Sequence, residues 1–321
     1  MREQIYVGGY SNCINICAFE EGRIVSINKI NGIKNPSYLN INGDFLYTVE
    51  EQKNGKIVAY KMGENDFKLI SIIDINASLP CYITTDRRRE NLLVANYESG
   101  SMLLFGLNKD GSIGNEKGRK LYSPRSHIHF AEFIKEKIYV VDLGDNSVYI
   151  YNLQMHLLNT IKLEEGLGPR HLVANNDGNI IYIVTEYSNQ ILMYVKENQH
   201  FVLKQSISTL GNQLDKSYAA AIKITNDNKN IYVTNRGENT ISVFENINNK
   251  LKLIQTVSSY GDYPRDFILN KDEQFAIVAN QKSNNLVIFK KDKNSGKLAI
   301  YKDEKLIIES PSCIVRRKYE L

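Results

Sequence analysis

The chain has 321 residues, 42% of them hydrophobic, and a formal net charge of +4. It can bury a sizeable core as one large domain or two smaller ones, and it is too weakly basic for a dedicated nucleic-acid binder. No apolar run approaches the roughly 18 residues of a helical membrane span, so no membrane partner is expected. The sequence enters a strand pattern at once, so no secretory signal is expected. Cys13, Cys17, Cys81 and Cys313 lack paired zinc-site spacing and read as buried thiols of a cytoplasmic protein.

Taken in chain order, one phrase keeps returning. An alternating apolar run, a polar turn and a second alternating run make up "IYVGGYSNCINICAF" at Ile5, "LYTVEEQKNGKIVAY" at Leu46 and "LLVANYESGSMLLF" at Leu92. The phrase recurs as "IYVVDLGDNSVYIY" at Ile138, "IYIVTEYSNQILMY" at Ile181, "IYVTNRGENTISVF" at Ile231 and "AIVANQKSNNLVIF" at Ala276. Each copy reads as a β-hairpin. Anchored on Tyr6, Tyr47, Leu93, Tyr139, Tyr182, Tyr232 and Ile277, the period averages about 45 residues, the repeat of a four-stranded propeller blade.

A further short run precedes each anchor strand: "NPSYLNI", "LPCYITT", "SHIHFAEF", "GPRHLVA", "YAAAIKI" and "YPRDFIL", with "SPSCIVR" left over at the C-terminus. These are innermost strands (a), the anchors b, the runs after the turn c, and stretches such as "FKLISII" and "LKLIQTV" the outer strands d. The N-terminus offers b, c and d without an a. Pairing Ser312–Val315 with the Ile5 strand completes the last blade and removes the open edges. The expectation is an all-β, seven-bladed propeller, one domain over residues 1–321, and a monomer.

Neighbouring strands in a blade run antiparallel, so the start of strand a and the end of strand b share one mouth of the central channel. The first column is Asn35, Cys81, His129, Arg170, Ala220 and Arg265, with the third blade shifted by its short a–b turn. The second column is Tyr10, Glu51, Tyr97, Leu143, Glu186, Arg236 and Gln281. Three arginines (Arg170, Arg236, Arg265) converging with one glutamate call for an anion, which a guanidinium grips in a bidentate fork. The alanines within Tyr218–Ala221 are expected to leave room between them. His129 and Glu186 are groups able to move a proton, and His127 shares the parity of His129 and could support it or replace it.

Other polar residues read as structural. His171 is expected to point to the opposite strand face from Arg170 and pack between blades, while His156 and His200 fall in outer turns. Asn96, Asn235 and Asn280 end their b strands, where asparagine commonly bonds turn backbone. The short basic runs at Arg87–Arg89 and Arg316–Lys318 read as solvated charge. "GLGPRH" has no strand-then-helix setting, so it does not read as a nucleotide loop.

The phrases "NPSYL", "LLVANYESGS", "GPRHLV", "YVTNRGENTISVF", "YPRDF" and "VANQKSNNLVIF" resemble those of the seven-bladed propeller lactonases across nearly the whole chain. That family includes a bacterial 6-phosphogluconolactonase and a carboxymuconate cyclase. The resemblance places its "PHAHS"-like histidine on His129 with His127 as companion, and its other site residues on Arg170, Glu186, Arg236 and Arg265. "SHIHF" lacks the usual Pro and following Ser, and Tyr82 stands where a His is common. The implied activity is opening of a small anionic lactone. His129, Glu186 and Arg170 are the catalytic candidates, Arg265, Arg236 and His127 the substrate-binding ones, with no metal and no cofactor. Three alternatives stay open. They are a cyclase acting on a carboxylated lactone, a non-catalytic binding propeller, and a metal-dependent lactonase using Glu51, Asn96, Asp142 and Asn235.

Overall fold

The structure, a computed structural model, describes residues 2–63, 66–212, 216–302 and 305–317. Among them there is no helix, and the strands form seven separate antiparallel sheets. Six sheets follow in chain order, with innermost strands at Leu39–Asn42, Pro80–Thr85, Ile128–Ile134, Pro169–Ala174, Tyr218–Ile224 and Pro264–Leu269, here blades one to six. In the seventh, Pro311–Arg316 pairs with Glu3–Gly9. Each innermost strand touches that of the next blade, and Pro311–Arg316 touches Leu39–Asn42, so the ring closes on itself. This is the expected seven-bladed propeller, sealed by strands from both ends of the chain.

The repeat follows from what the anchor strands must do. A b strand is covered on both faces, as in the fully buried Ile180–Thr185, so it reads as an almost unbroken apolar run. Outer strands such as Arg23–Asn31 lie mostly in water and carry charge. The anchor tyrosines fill the space between blades. Tyr47, Tyr182 and Tyr232 are at most 1% exposed, and each hydroxyl bonds a neighbouring blade. Tyr47 donates to Gly111 O (3.0 Å), Tyr232 donates to Gly296 O (2.7 Å), and Tyr182 accepts from Asn246 Nδ2 (3.2 Å). Burying each ring contributes a few kcal/mol, and the bonded hydroxyl avoids the cost of a stranded polar group.

Closure has a measurable consequence. Ser312 Oγ donates to Ser37 O (2.9 Å), Ile314 N donates to Asp266 Oδ2 (3.1 Å), and Ile314 is 1% exposed. Ending the chain at Glu309 removes these bonds and exposes a sheet edge; loss of the Ile314 side chain alone costs about 1.5–3 kcal/mol. We expect such a truncation to melt at clearly lower temperature and to associate on a sizing column. A truncated monomer with an unchanged Tm contradicts closure.

The four cysteines are free, and Cys13 is only half-buried, unlike the other three. Cys17 and Cys313 share a blade but pack in different apolar clusters, on opposite faces of the sheet. Burial pushes the Cys17 thiol up to about 12.

Candidate active site

The side chains that converge on one mouth of the channel are delivered by β-bulges. The a–b ladder shifts register at Cys81, His129, Arg170 and Arg265, and across Ala220 and Ala221. In the closing strand, Cys313 faces Gly8 and Pro311 faces Gly9, leaving Ser312 as the extra residue. A bulge sets two residues against one and breaks the alternation of faces. That corrects the expectation for His171. Parity aims it away from Arg170, but the bulge between Pro169 and His171 puts both on the channel. His171 lines the same cavity as Tyr10, Glu51, His129, Arg170 and Arg265.

Glu186 is the brace of the site. Its Oε2 lies 2.8 Å from Arg236 Nη2 and 3.0 Å from Arg170 Nε. The second contact is off the N–H direction and so is an ion pair rather than an aligned hydrogen bond. Burial alone would raise the Glu186 carboxyl, but Arg236 and Arg170 hold it below its ordinary range. A carboxylate held this way keeps its charge and is a poor proton carrier. Space left by the alanines is taken by the arginines. Arg170 Nη1 donates to Ala220 O (2.8 Å), Arg236 Nη2 to Ala219 O (3.1 Å) and Arg236 Nε to Tyr218 O (3.1 Å).

Arg265 stands apart from that brace. Its Nη2 donates to Tyr10 Oη (2.8 Å), which in turn donates to the Glu51 carboxylate (3.1 and 3.2 Å). Glu51, a column member that the sequence offers only as a metal ligand, is thus the second counter-charge. Against these two carboxylates stand three guanidiniums, so the group retains positive charge. Asp266, beside Arg265, is balanced by Lys223 Nζ at 3.3 Å.

His129 is 6% exposed. Burial, then the charges of Arg170, Arg265 and Arg236, hold its imidazole well below the usual range, so it is neutral at neutral pH. Burial and Arg170 do the same to His171. His127 lies outside this nest. It stacks on Tyr97 (ring centroids 4.4 Å apart), and its Nδ1 is 3.1 Å from Tyr97 O. Tyr97 meets His129 edge-on at 5.8 Å, so its ring contacts both histidines. Asn96 and Asn235 bond turn backbone and hydroxyls, and Asp142 accepts from His127 N (3.0 Å) and Asp145 N (3.0 Å). Asn96 Oδ1, Asn235 Oδ1 and Asp142 Oδ2 are buried without a hydrogen-bond partner among the described residues, and none of these three residues lines the cavity that Glu51 lines.

Two measurable effects follow from this balance. Glu186→Ala leaves Arg170 and Arg236, 2% and 3% exposed, without their shared counter-charge. Removing one partner of a buried pair costs about 3–5 kcal/mol, to be read from urea unfolding; a loss below about 1 kcal/mol contradicts the brace. The second effect concerns acid. Because His129 and His171 are depressed in the fold, the unfolded chain binds more protons once the pH falls below about 6.5. Stability is therefore full above that value and declines below it, by about 1.4 kcal/mol per pH unit for each histidine. The His129→Gln, His171→Gln double variant should flatten the decline between about pH 6.5 and 5. An equal slope in both proteins contradicts it.

One mouth of the ring thus gathers three guanidiniums, two carboxylates and two neutral imidazoles. The family described as "Lactonase, 7-bladed beta-propeller" matches residues 4–316, and the chain belongs to it. It is similar to the 6-phosphogluconolactonase of Bacillus subtilis, at 32% identity over 92% of this chain and 93% of that one. The 6-phosphogluconolactonase of Formosa agariphila is 31% identical over 91% and 92%. Among solved structures, a protein from Lactobacillus plantarum superposes with a TM-score of 0.94 at 29% identity, covering 99% of this chain and 100% of that one. A periplasmic gluconolactonase from Pseudomonas aeruginosa shares the fold, with a TM-score of 0.90 at 22% identity over all of both chains. The relatives support a lactone hydrolase.

Proposed function

We propose that the chain hydrolyses 6-phospho-gluconolactone to 6-phosphogluconate without a metal. The observation that carries the reading is the buried neutral His129 set among three guanidiniums with only two carboxylates to balance them. In this account Arg265 and Arg236 take the phosphate, with Tyr10 giving up its bond to Arg265. Neutral His129 removes a proton from water as the water oxygen attacks the lactone carbonyl carbon. Arg170, held in place by Glu186 and Ala220 O, stabilises the oxyanion that forms. The ring C–O bond then breaks, and the imidazolium returns its proton to the departing ring oxygen, leaving a carboxylic acid and a hydroxyl. His129 Nδ1 is sealed from solvent and lacks a partner, which leaves Nε2 as the nitrogen that exchanges the proton. An incoming anion also offsets the cations that depress His129, so the base strengthens as substrate arrives. The free cysteines support a reducing compartment, the cytoplasm.

The second reading, a cyclase acting on a carboxylated lactone, draws on the same arginines, because a guanidinium fork fits carboxylate as well as phosphate. A pH-stat assay of the phosphorylated sugar lactone beside a carboxylated muconolactone separates them. Faster acid release from the phosphorylated substrate supports hydrolysis of the sugar lactone. Turnover of the carboxylated one alone overturns it.

A further inference from the structure

Arg170 presents two protons on Nη1, and both are spoken for. One goes to Ala220 O at 2.8 Å in the next blade; the other points to His171 Nε2 at 3.3 Å. A ring nitrogen can accept only while it carries no proton, so this contact requires a neutral His171 bearing its hydrogen on Nδ1. The ring is itself wedged. Rings of His129, Phe130, Tyr82 and Tyr38 surround it at centroid distances of 5.2, 5.4, 5.6 and 6.3 Å. Those neighbours come from blades one, two and three, while Ala220 belongs to blade five. Burial keeps the imidazole uncharged.

We propose that His171 is a positioning residue for lactone opening: its Nε2, with Ala220 O and Glu186, fixes the plane of the Arg170 guanidinium. The inference rests on the role given to Arg170 above. Glu186 supplies charge but meets Arg170 off the N–H direction, so it constrains the guanidinium's tilt poorly. Ala220 O holds one edge. His171 holds the other proton of the same nitrogen, and together they stop rotation about the last bonds of the side chain. The bulge in Pro169–Ala174 is what makes the contact reachable, because adjacent residues on a regular strand face opposite ways. A guanidinium free to rotate would still attract an anion, but it would not meet the carbonyl oxygen as charge develops there. The loss should therefore fall on kcat, not on KM.

The test compares His171→Met with His171→Gln, two unbranched side chains of similar length that differ in the acceptor at the tip. With the phosphorylated lactone, His171→Met should lower kcat by roughly 10–150-fold, the span for losing a hydrogen bond to a charged group, at a KM close to wild type. His171→Gln should recover most of that loss, and His171→Asn, whose amide stops short, should not. Equal kcat in the Met variant and wild type overturns the inference, as does a Gln variant no better than Met. Crystal structures of the same variants give an answer independent of turnover. Arg170 Nη1 should leave Ala220 O in His171→Met and stay bonded in His171→Gln. An unmoved Arg170 in the Met variant overturns the positioning role. If wild-type protein opens no lactone, the functional reading falls, and the crystal structures alone decide for or against the positioning of Arg170.

Discussion

Replacing His129 by alanine should lower kcat for the phosphorylated lactone by roughly 10²–10⁴-fold, the usual contribution of a positioned general base. KM should change little, because the phosphate contacts assigned to Arg265 and Arg236 remain. The expectation rests on His129 being the neutral imidazole at the floor of the mouth, with Arg170 and Arg265 lining the same cavity. Glu186 is an unsuitable substitute, since two guanidiniums hold its charge. His127 is occupied at Nδ1 by Tyr97 O and lies outside the cavity lining. Lactones open slowly in water, so the assay needs the uncatalysed rate subtracted. A His129→Ala protein with wild-type kcat removes the base from the account, and anion binding without catalysis then replaces it.

Arg265→Ala should act on the other kinetic constant. Among the described residues its guanidinium bonds two neutral partners, Tyr10 Oη at 2.8 Å and Gln281 Oε1 at 3.4 Å, with Glu51 one bond further on. It can therefore exchange those partners for a phosphate without breaking a direct ion pair. Losing a charged hydrogen bond costs about 1.5–3 kcal/mol, so KM should rise roughly 10–150-fold. Any fall in kcat should be smaller, through the weaker anion field at His129. A competitive phosphorylated product analogue should lose affinity in parallel. Unchanged KM with lowered kcat would move Arg265 from binding into the chemistry.

The ring and its closure are legible because every blade repeats one physical demand, a b strand buried on both faces, and in three blades a tyrosine of that strand bonds the next blade. The two columns at the mouth are legible in part: antiparallel pairing and distance from the anchor give Cys81, Arg170 and Arg265, whereas in blade one Ser37 rather than Asn35 lines the cavity. Parity within the inner strands is not legible. His171 and Asp266 reach the channel because a bulge precedes each. A signal for this was present: Pro80, Pro169, Pro264 and Pro311 each stand just before a bulged residue. Proline lacks the N–H for a ladder and inside sheets is confined to edges, strand starts and bulges. The Glu51–Tyr10–Arg265 chain was beyond sequence reasoning for another reason. It joins blades one, six and seven, and column membership says nothing of which side chains bend toward each other.

If the positive mouth serves an anionic lactone, a phosphate on the substrate must speed its opening. Purified protein is given 6-phospho-gluconolactone and plain gluconolactone side by side, with and without chelator, after subtraction of spontaneous opening. We expect kcat/KM higher by at least roughly 10-fold for the phosphorylated lactone, as one charged contact alone provides, and equal rates with chelator. Equal kcat/KM for the two lactones, or activity abolished by chelator, contradicts the expectation.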